Sequence, residues 1–223
     1  MKRILLTIAT VFVAQSIFAQ MSIAPEAGIN LSSLSIKDDN GNSQDISGKM
    51  GAKAGLYFNI PISNGFFIQP GILYSMKGGQ ETTTLSILGV TASSKTTISL
   101  NYLEIPLNLG YDFDMGNLGG IFVTVGPYLG YGLSGKTKGT LKITGMPDET
   151  TEEDINFGSG EDEIKALDYG LNFGAGYRTP FGIYGRIQYG LGLANLSNFG
   201  GDASMMNKGV SFTVGYAFKL KSK

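Results

Sequence analysis

The chain has 223 residues, with 17 basic and 18 acidic side chains, 33 Gly, and no Cys, His or Trp. That excludes disulfides, the usual zinc and haem ligands and an imidazole base, and the near-zero net charge excludes the basic excess of a nucleic-acid binder. Charged residues make up 16% of the chain, against roughly 25% in an ordinary soluble domain, and Gly is about twice as frequent as usual.

Lys2 and Arg3 precede an apolar run over residues 4–14 and a polar-to-small stretch over 15–19. This is the order of a secretory signal peptide, with cleavage expected after Ala19. The run is too short to span a bilayer core of ~30 Å. No Cys follows it, which excludes a lipoprotein anchor. The domain boundaries are therefore expected at 1–19 for a cleaved signal peptide and 20–223 for the mature domain. No later stretch approaches 18 consecutive apolar residues, so no transmembrane helix is expected.

From Ser22 onward the pattern has period two, which marks strands with unlike faces. Eight such stretches follow one another. Their apolar positions begin with Ile23, Pro25, Ala27, Ile29 and Leu31, then run from Ala52 to Ile62, from Phe66 to Met76 and from Leu103 to Phe113. The remaining four run from Ile121 to Leu133, Leu167 to Tyr177, Phe181 to Leu193 and Val210 to Leu220. The opposite positions hold Glu26, Lys53, Glu104, Asp112, Asp168, Arg178, Arg186 and Lys219, with about half of the Gly. Long polar connections are expected near 33–48, 78–97, 135–165 and 195–207. Short turns are expected near 63–65, 114–119 and 179–180. Alternating long and short connections describe an all-β, eight-stranded antiparallel up-and-down barrel with both termini at the short-turn end.

A lipocalin-like barrel would turn the apolar face inward, and an outer-membrane barrel turns it to lipid. Three features favour the transmembrane barrel. The polar face carries too few charges for a water-facing exterior. Its Gly suits a crowded lumen. Aromatics recur eight residues apart on the apolar face, as in Phe66 and Tyr74, Tyr169 and Tyr177, and Phe181 and Tyr189. At ~3.3 Å per residue and ~40° tilt this is roughly 20 Å, near the girdle separation of membrane barrels. Tyr111, Phe113, Tyr216 and Phe218 extend the short-turn girdle, and Tyr131 extends the other. Pro25, Pro70, Pro106 and Pro127 fall within strands, where each removes a ladder donor. Bulges, luminal waters or shifted strand ends are expected at them.

Pro25-Glu26-Ala27-Gly28-Ile29-Asn30, Gln69-Pro70-Gly71-Ile72-Leu73-Tyr74 and Tyr102-Leu103-Glu104-Ile105-Pro106-Leu107 resemble segments of the Bacteroidetes outer-membrane β-barrel family, the PorT-like or "porin family" proteins. Gly126-Pro127-Tyr128-Leu129-Gly130 and Phe173-Gly174-Ala175-Gly176-Tyr177 add to the likeness, which covers the mature chain. The resemblance implies residence in the bacterial outer membrane and strand prolines, but no shared catalytic motif. Tyr216 and Phe218 resemble an assembly signal, although the chain continues through Lys221-Ser222-Lys223.

Glu26, Lys53, Glu104, Asp168 and Arg186 are expected as a paired luminal network, because buried charges need partners. Tyr57, Phe67, Tyr102, Phe122, Tyr128 and Tyr184 are expected to occlude the lumen. Gly130 to Gly135 matches GxGxxG but lacks the helix that dinucleotide binding requires. Asp38 to Asp45 faintly resembles a calcium loop, with its Gly one place early and no closing Glu. The third long connection holds eight of the 18 acids behind Lys136, Lys138 and Lys142. It reads as a hydrophilic surface loop, or as a cation-bridged contact to lipopolysaccharide or a protein. No catalytic residue, metal or cofactor is expected.

The expected function is a non-enzymatic scaffold, surface-interaction or envelope-assembly barrel. Its expected partners are outer-membrane lipid and lipopolysaccharide, the outer-membrane assembly machinery, and an envelope or extracellular protein reached through the long loops. A small passive channel is the alternative. An enzyme pairing Glu104 with Asp168 is more remote, since the His-based chemistry of small membrane barrels lacks its base here.

Overall fold

The computed structural model describes residues 21–38, 42–160, 163–198 and 203–220. The segment read as a signal peptide lies outside them, as do Asp39, Asn40, Gly41, Glu161 and Asp162. The strands are β1 (Ser22–Lys37), β2 (Ser43–Ser63), β3 (Phe66–Ile87), β4 (Val90–Asp114) and β5 (Gly120–Ile143). They continue with β6 (Glu149–Ile155), β7 (Leu167–Arg178), β8 (Ile183–Gly192), β9 (Ser204–Tyr216) and β10 (Phe218–Lys219). Every pairing between these strands is antiparallel, and β9 pairs with β1 to close the ring. β1 to β5 with β7 to β9 form the eight-stranded barrel. β6 adds to β5 outside the ring, and β10 resumes the line of β9 beside β1.

The alternation sorts as an outer-membrane barrel requires. Along β5, Ile121, Val123, Val125, Leu129, Tyr131 and Leu133 are exposed, whereas Phe122, Thr124 and Tyr128 are buried. Each exposed aliphatic would lose about 1.5–3 kcal/mol of burial in water; a hydrocarbon surround removes that cost. The short turns have the local chemistry their tightness demands. Asn64 (φ 49°) and Gly65 (φ 87°) adopt the left-handed pair of a two-residue hairpin. A 3₁₀ turn over Gly116–Leu118 joins β4 to β5.

Pro25, Pro70, Pro106 and Pro127 do not make bulges; of the strand prolines, only Pro61 lies at a register shift. Near each of those four, a ladder lapses for two residues and resumes in step. Pairing passes from Ile23–Phe218 to Glu26–Gly215 around Pro25, and from Tyr57–Gly71 to Ile60–Ile68 around Pro70. It passes from Pro70–Leu107 to Leu73–Glu104 around Pro106, and from Pro106–Tyr128 to Leu109–Val125 around Pro127. Losing one N–H interrupts the bonds without adding a residue to either strand. The true register shifts lie elsewhere, at Ser32/Leu34, Gly48/Lys53, Pro61/Ser63 and Asn101/Tyr102.

Three of the expected long loops are largely strand. Over 33–48, β1 and β2 stay paired up to Lys37–Ser43. β3 and β4 stay paired up to Ile87–Val90, across a turn at Leu88 (φ 50°) and Gly89 (φ 84°). β5 continues to Ile143 and takes β6 as its partner there. Both faces of this projection meet water, so it lacks the apolar alternation that marks the barrel. The β-branched Thr82, Thr83, Thr84, Thr91, Thr96 and Thr97 still favour the ladder. Gly130 to Gly135 lies within β5, with no helix after it.

Candidate functional site

The inward face builds two charged clusters rather than one network. In the lower cluster, toward the short turns, Glu26 accepts hydrogen bonds from Tyr184 OH (2.9 Å) and Thr213 Oγ1 (3.2 Å). Arg186 Nε lies 3.4 Å from Glu26, and its Nη1 donates to Gln69 Oε1 at 2.8 Å. The guanidinium sits 4.4 Å from the Tyr57 ring centroid, with Phe122 and Tyr184 also around it. A planar cation framed by aromatic faces retains attraction where water is excluded.

In the upper cluster, Lys77 Nζ donates to Asp168 Oδ2 at 2.9 Å and lies 3.7 Å from Glu104. Lys53 stands 3.9 Å from the same Glu104 oxygen. Asp168 also accepts from Asn207 Nδ2 (3.0 Å) and Tyr128 OH (3.3 Å). Lys77 continues the inward parity of Phe67, Gln69 and Ser75, but lies past the apolar alternation that marks the barrel wall in the sequence. Asn207 and Gln69 are neutral, and only the closed barrel shows that they serve the charges.

Aromatic and apolar groups close the interior at both ends. Tyr57, Phe67, Phe122 and Tyr184 are buried with Ala24 and Leu73 in the lower half. Tyr102 and Tyr128 are buried above them. Over the upper mouth, Leu34, Leu100 and Tyr102 pack with Ile46, Ile98, Ile155, Phe157, Ile164 and Met205. The connection after β6 folds inward to supply this cap. Phe157 bridges Ile164, Ile164 bridges Ser197, and Lys165 N donates to Leu196 O. The sequence suggested only loops here.

On the outer face, Phe66, Tyr111, Phe113, Tyr177, Phe181, Tyr216 and Phe218 lie toward the short turns. Tyr74, Tyr131, Tyr169 and Tyr189 lie toward the long connections. Ring contacts link Phe66 to Tyr111 (4.8 Å), Tyr111 to Phe113 (4.6 Å) and Tyr216 to Phe218 (4.4 Å).

Above the barrel, lysines and acids pair across β5 and the segment that follows it. Lys138 donates to Glu152 at 2.9 Å, Lys136 lies 3.8 Å from Asp154, and Lys142 pairs with Asp148. These contacts engage Asp148, Glu152 and Asp154 of the acidic segment. Among the described residues, no group of three or more acids is placed to hold a metal ion. In the calcium-like segment, Asp38 instead accepts from Asn42 N at 2.8 Å and from Asn42 Nδ2 at 3.0 Å.

A family model described as an outer membrane protein beta-barrel domain matches residues 14–196. No curated protein sequence matches the chain. Among solved structures, Ail, the attachment invasion locus protein of Yersinia pestis, is 13% identical with a TM-score of 0.38 and covers 89% of this chain and 99% of its own. Neisserial surface protein A is 13% identical with a TM-score of 0.41, covering 89% and 97%. The outer membrane protease OmpT of Escherichia coli is 10% identical with a TM-score of 0.32, covering 88% and 97%. The family match, over a barrel with an apolar outside and a polar inside, places the chain in the outer membrane protein beta-barrel domain family.

Proposed function

We propose that this outer-membrane barrel is a non-enzymatic surface-interaction protein, exported by a cleaved signal peptide and related to the PorT-like barrels of Bacteroidetes. The observation that carries the reading is the projecting sheet of β3 to β6. From Tyr74 to Leu88 the chain climbs fourteen residues beyond the upper aromatic level, roughly 35 Å at ordinary strand rise and tilt. Its tip exposes Leu85, Ile87, Leu88 and Val90, with Leu88 wholly exposed. A leucine at positive φ with no burial is an uncommon choice for a turn, and such outliers gather at functional surfaces.

The two edges of this sheet differ. β6 guards its edge with Glu149, Glu152, Glu153 and Asp154. Beyond Gly79, β3 pairs only with β4 among the described residues, leaving the Thr82–Ile87 stretch open on its other side. Apart from Glu81, that edge carries no charge to discourage a further strand. An extended segment of an envelope or extracellular protein is the partner this edge suits, by strand addition. Catalysis is disfavoured because Glu104 and Asp168 are both engaged by lysines beneath an apolar cap.

The test is site-specific photocrosslinking in intact cells, with the reactive group at Ser86 on the open edge or at Leu107 on the lipid face. The expected result is a discrete protein adduct at Ser86 and none at Leu107. No adduct at Ser86, or the same adducts at both positions, would reject the surface reading.

A further inference from the structure

Building on the surface-interaction reading of the open β3 edge, we infer that its partner is a second copy of this chain, rooted in a facing membrane and joined antiparallel through residues 83–87. The side that each residue takes on the projecting sheet comes first. Lys77 pairs with Leu100, and Leu100 with Gly135, all buried luminal positions. No register shift interrupts either ladder above that level. The same face therefore continues upward through Leu85, Ile87, Val90, Ala92, Leu141 and Ile143. The opposite face carries Thr84, Ser86, Thr91, Ser93 and Lys142. The tip is thus amphipathic, with Leu85, Ile87, Val90 and Leu141 exposed on its apolar side.

This edge complements itself. With a two-fold axis at Leu85, Leu85 of one copy meets Leu85 of the other, Ile87 meets Thr83, and Thr84 meets Ser86. No charge lies on the paired segment of either copy, so nothing repels the pairing. Shifting the axis to Thr84 would set Glu81 against Ile87. Shifting it to Ser86 would run the pairing into the turn at Leu88. The axis at Leu85 stands perpendicular to the sheet, so both apolar faces fall on one side and form one stripe across the joined sheet.

The direction of β3 fixes where the second copy sits. In every copy β3 climbs away from the membrane, so an antiparallel mate descends and belongs to an opposing membrane. Parallel pairing within one membrane would need an axis along the strands, which turns the apolar face of one copy to the polar side of the other. The tip stands roughly 35 Å above the upper aromatic level, clear of its own barrel. So short an edge buries less than the ~1,000 Å² of a stable pair. The contact therefore acts by number, between surfaces that each carry many copies.

The full-length barrel, refolded into phosphatidylcholine vesicles as separate tagged and untagged populations, tests this. Wild-type vesicles are expected to cluster, as read by light scattering. The chain has no Cys, so single cysteines report the register under mild oxidation. Leu85→Cys should yield a dimer of tagged with untagged chain. Thr84→Cys and Ser86→Cys should each fail alone and cross-link when mixed. Leu85→Lys and Leu85→Glu should each reduce clustering at least about tenfold, because like charges meet at the axis, and mixing the two populations should restore it. If a charged variant fails to fold, the wild-type and cysteine arms still decide. Wild-type vesicles that stay apart overturn the assignment, as do equal dimer yields at positions 84, 85 and 86. A Ser86 photocrosslink to a different protein in cells, with vesicles unclustered, overturns the second copy and leaves the surface reading standing. No Ser86 adduct of any kind removes both.

Discussion

Lys77 Nζ and Asp168 Oδ2 meet at 2.9 Å, joining β3 to β7 across the barrel interior. Asp168 is fully buried and Lys77 is 7% exposed, so neither has water to fall back on. Removing one partner leaves an uncompensated charge, which costs about 3–5 kcal/mol. Lys77→Met is therefore expected to destabilise the folded barrel by about that amount. Lys136→Met breaks only exposed pairs on the projecting sheet and should cost under about 1 kcal/mol. Urea midpoints of the two variants in detergent compare them directly. Equal shifts would mean that the interior pair contributes no more than a surface one.

The lipid face makes a second prediction. Leu107 is 53% exposed on β4, between the lower girdle at Tyr111 and the upper level at Leu103, which pairs with Tyr131. Arginine there would place a charge near mid-membrane, at about 2–4 kcal/mol. Leu107→Arg is expected to fold poorly into lipid vesicles, while Leu107→Ala folds nearly as well as wild type. Heat-modifiable migration on gels gives the folded fraction. Efficient folding of the arginine variant would reverse the inside-out assignment.

What the sequence made legible follows from where water and lipid lie. Phe66 to Met76 and Ile121 to Leu133 alternate because one side faces hydrocarbon and the other faces the lumen. That contrast ends at the membrane surface, so Gln80 to Lys95 could not be told from a polar loop although it forms a paired hairpin. Lys77 sits at this boundary, one step past the last apolar position, so Asp168 is legible as a paired charge but its partner is not. Glu26 and Arg186 were legible as buried charges, but their partners Gln69, Tyr184 and Thr213 needed the barrel to close. The cap is formed by Phe157, Ile164 and Met205, scattered apolar residues in irregular or terminal segments. No periodicity marks them.

Glycine on the luminal face serves close strand approach at some positions and only space at others. A Cβ on Gly28 would lie 2.0 Å from Phe212 O, a backbone atom of the neighbouring strand. A Cβ on Gly190 would find nothing closer than Asn172 Oδ1 at 3.4 Å. Gly28→Ala is thus expected to destabilise the barrel by about 1–3 kcal/mol, as overpacking does. Gly190→Ala should fold with little change. Denaturant midpoints of the two variants provide the comparison, and equal tolerance of both would contradict the close approach of β1 and β9.

Acid should loosen the outer part of the projecting sheet. The hydrogen bond from Lys138, with the charges of Lys138 and Lys136, holds the Glu152 carboxyl below its ordinary range. A carboxylate with a lowered folded value supports the folded hairpin above the ordinary glutamate pKa of ~4.3, and that support is lost as pH falls through the lower folded value. In an NMR titration, the Glu152 midpoint is expected to lie below its value in Lys138→Gln. Protection of the β5–β6 amides, corrected for intrinsic exchange, should fall over the same window in wild type. An unchanged Glu152 midpoint in Lys138→Gln would remove the electrostatic basis of this hairpin.

The interior closures predict an electrically silent barrel. An ion entering from above meets Leu34, Leu100, Tyr102 and Phe157 packed across the mouth. Below, it meets Arg186 locked to Glu26 and framed by Tyr57, Phe122 and Tyr184. An eight-stranded ring is only wide enough for its own side chains, so these groups have no room to move aside together. Wild-type protein in a planar bilayer should give no sustained open level. Phe157→Ala should remain silent, because the lower layer still blocks the path. Adding Tyr57→Ala and Phe122→Ala to that variant should admit small ions, since it removes aromatic bulk at both levels. A stable porin-sized open level in the wild type would favour the channel over the surface-interaction protein.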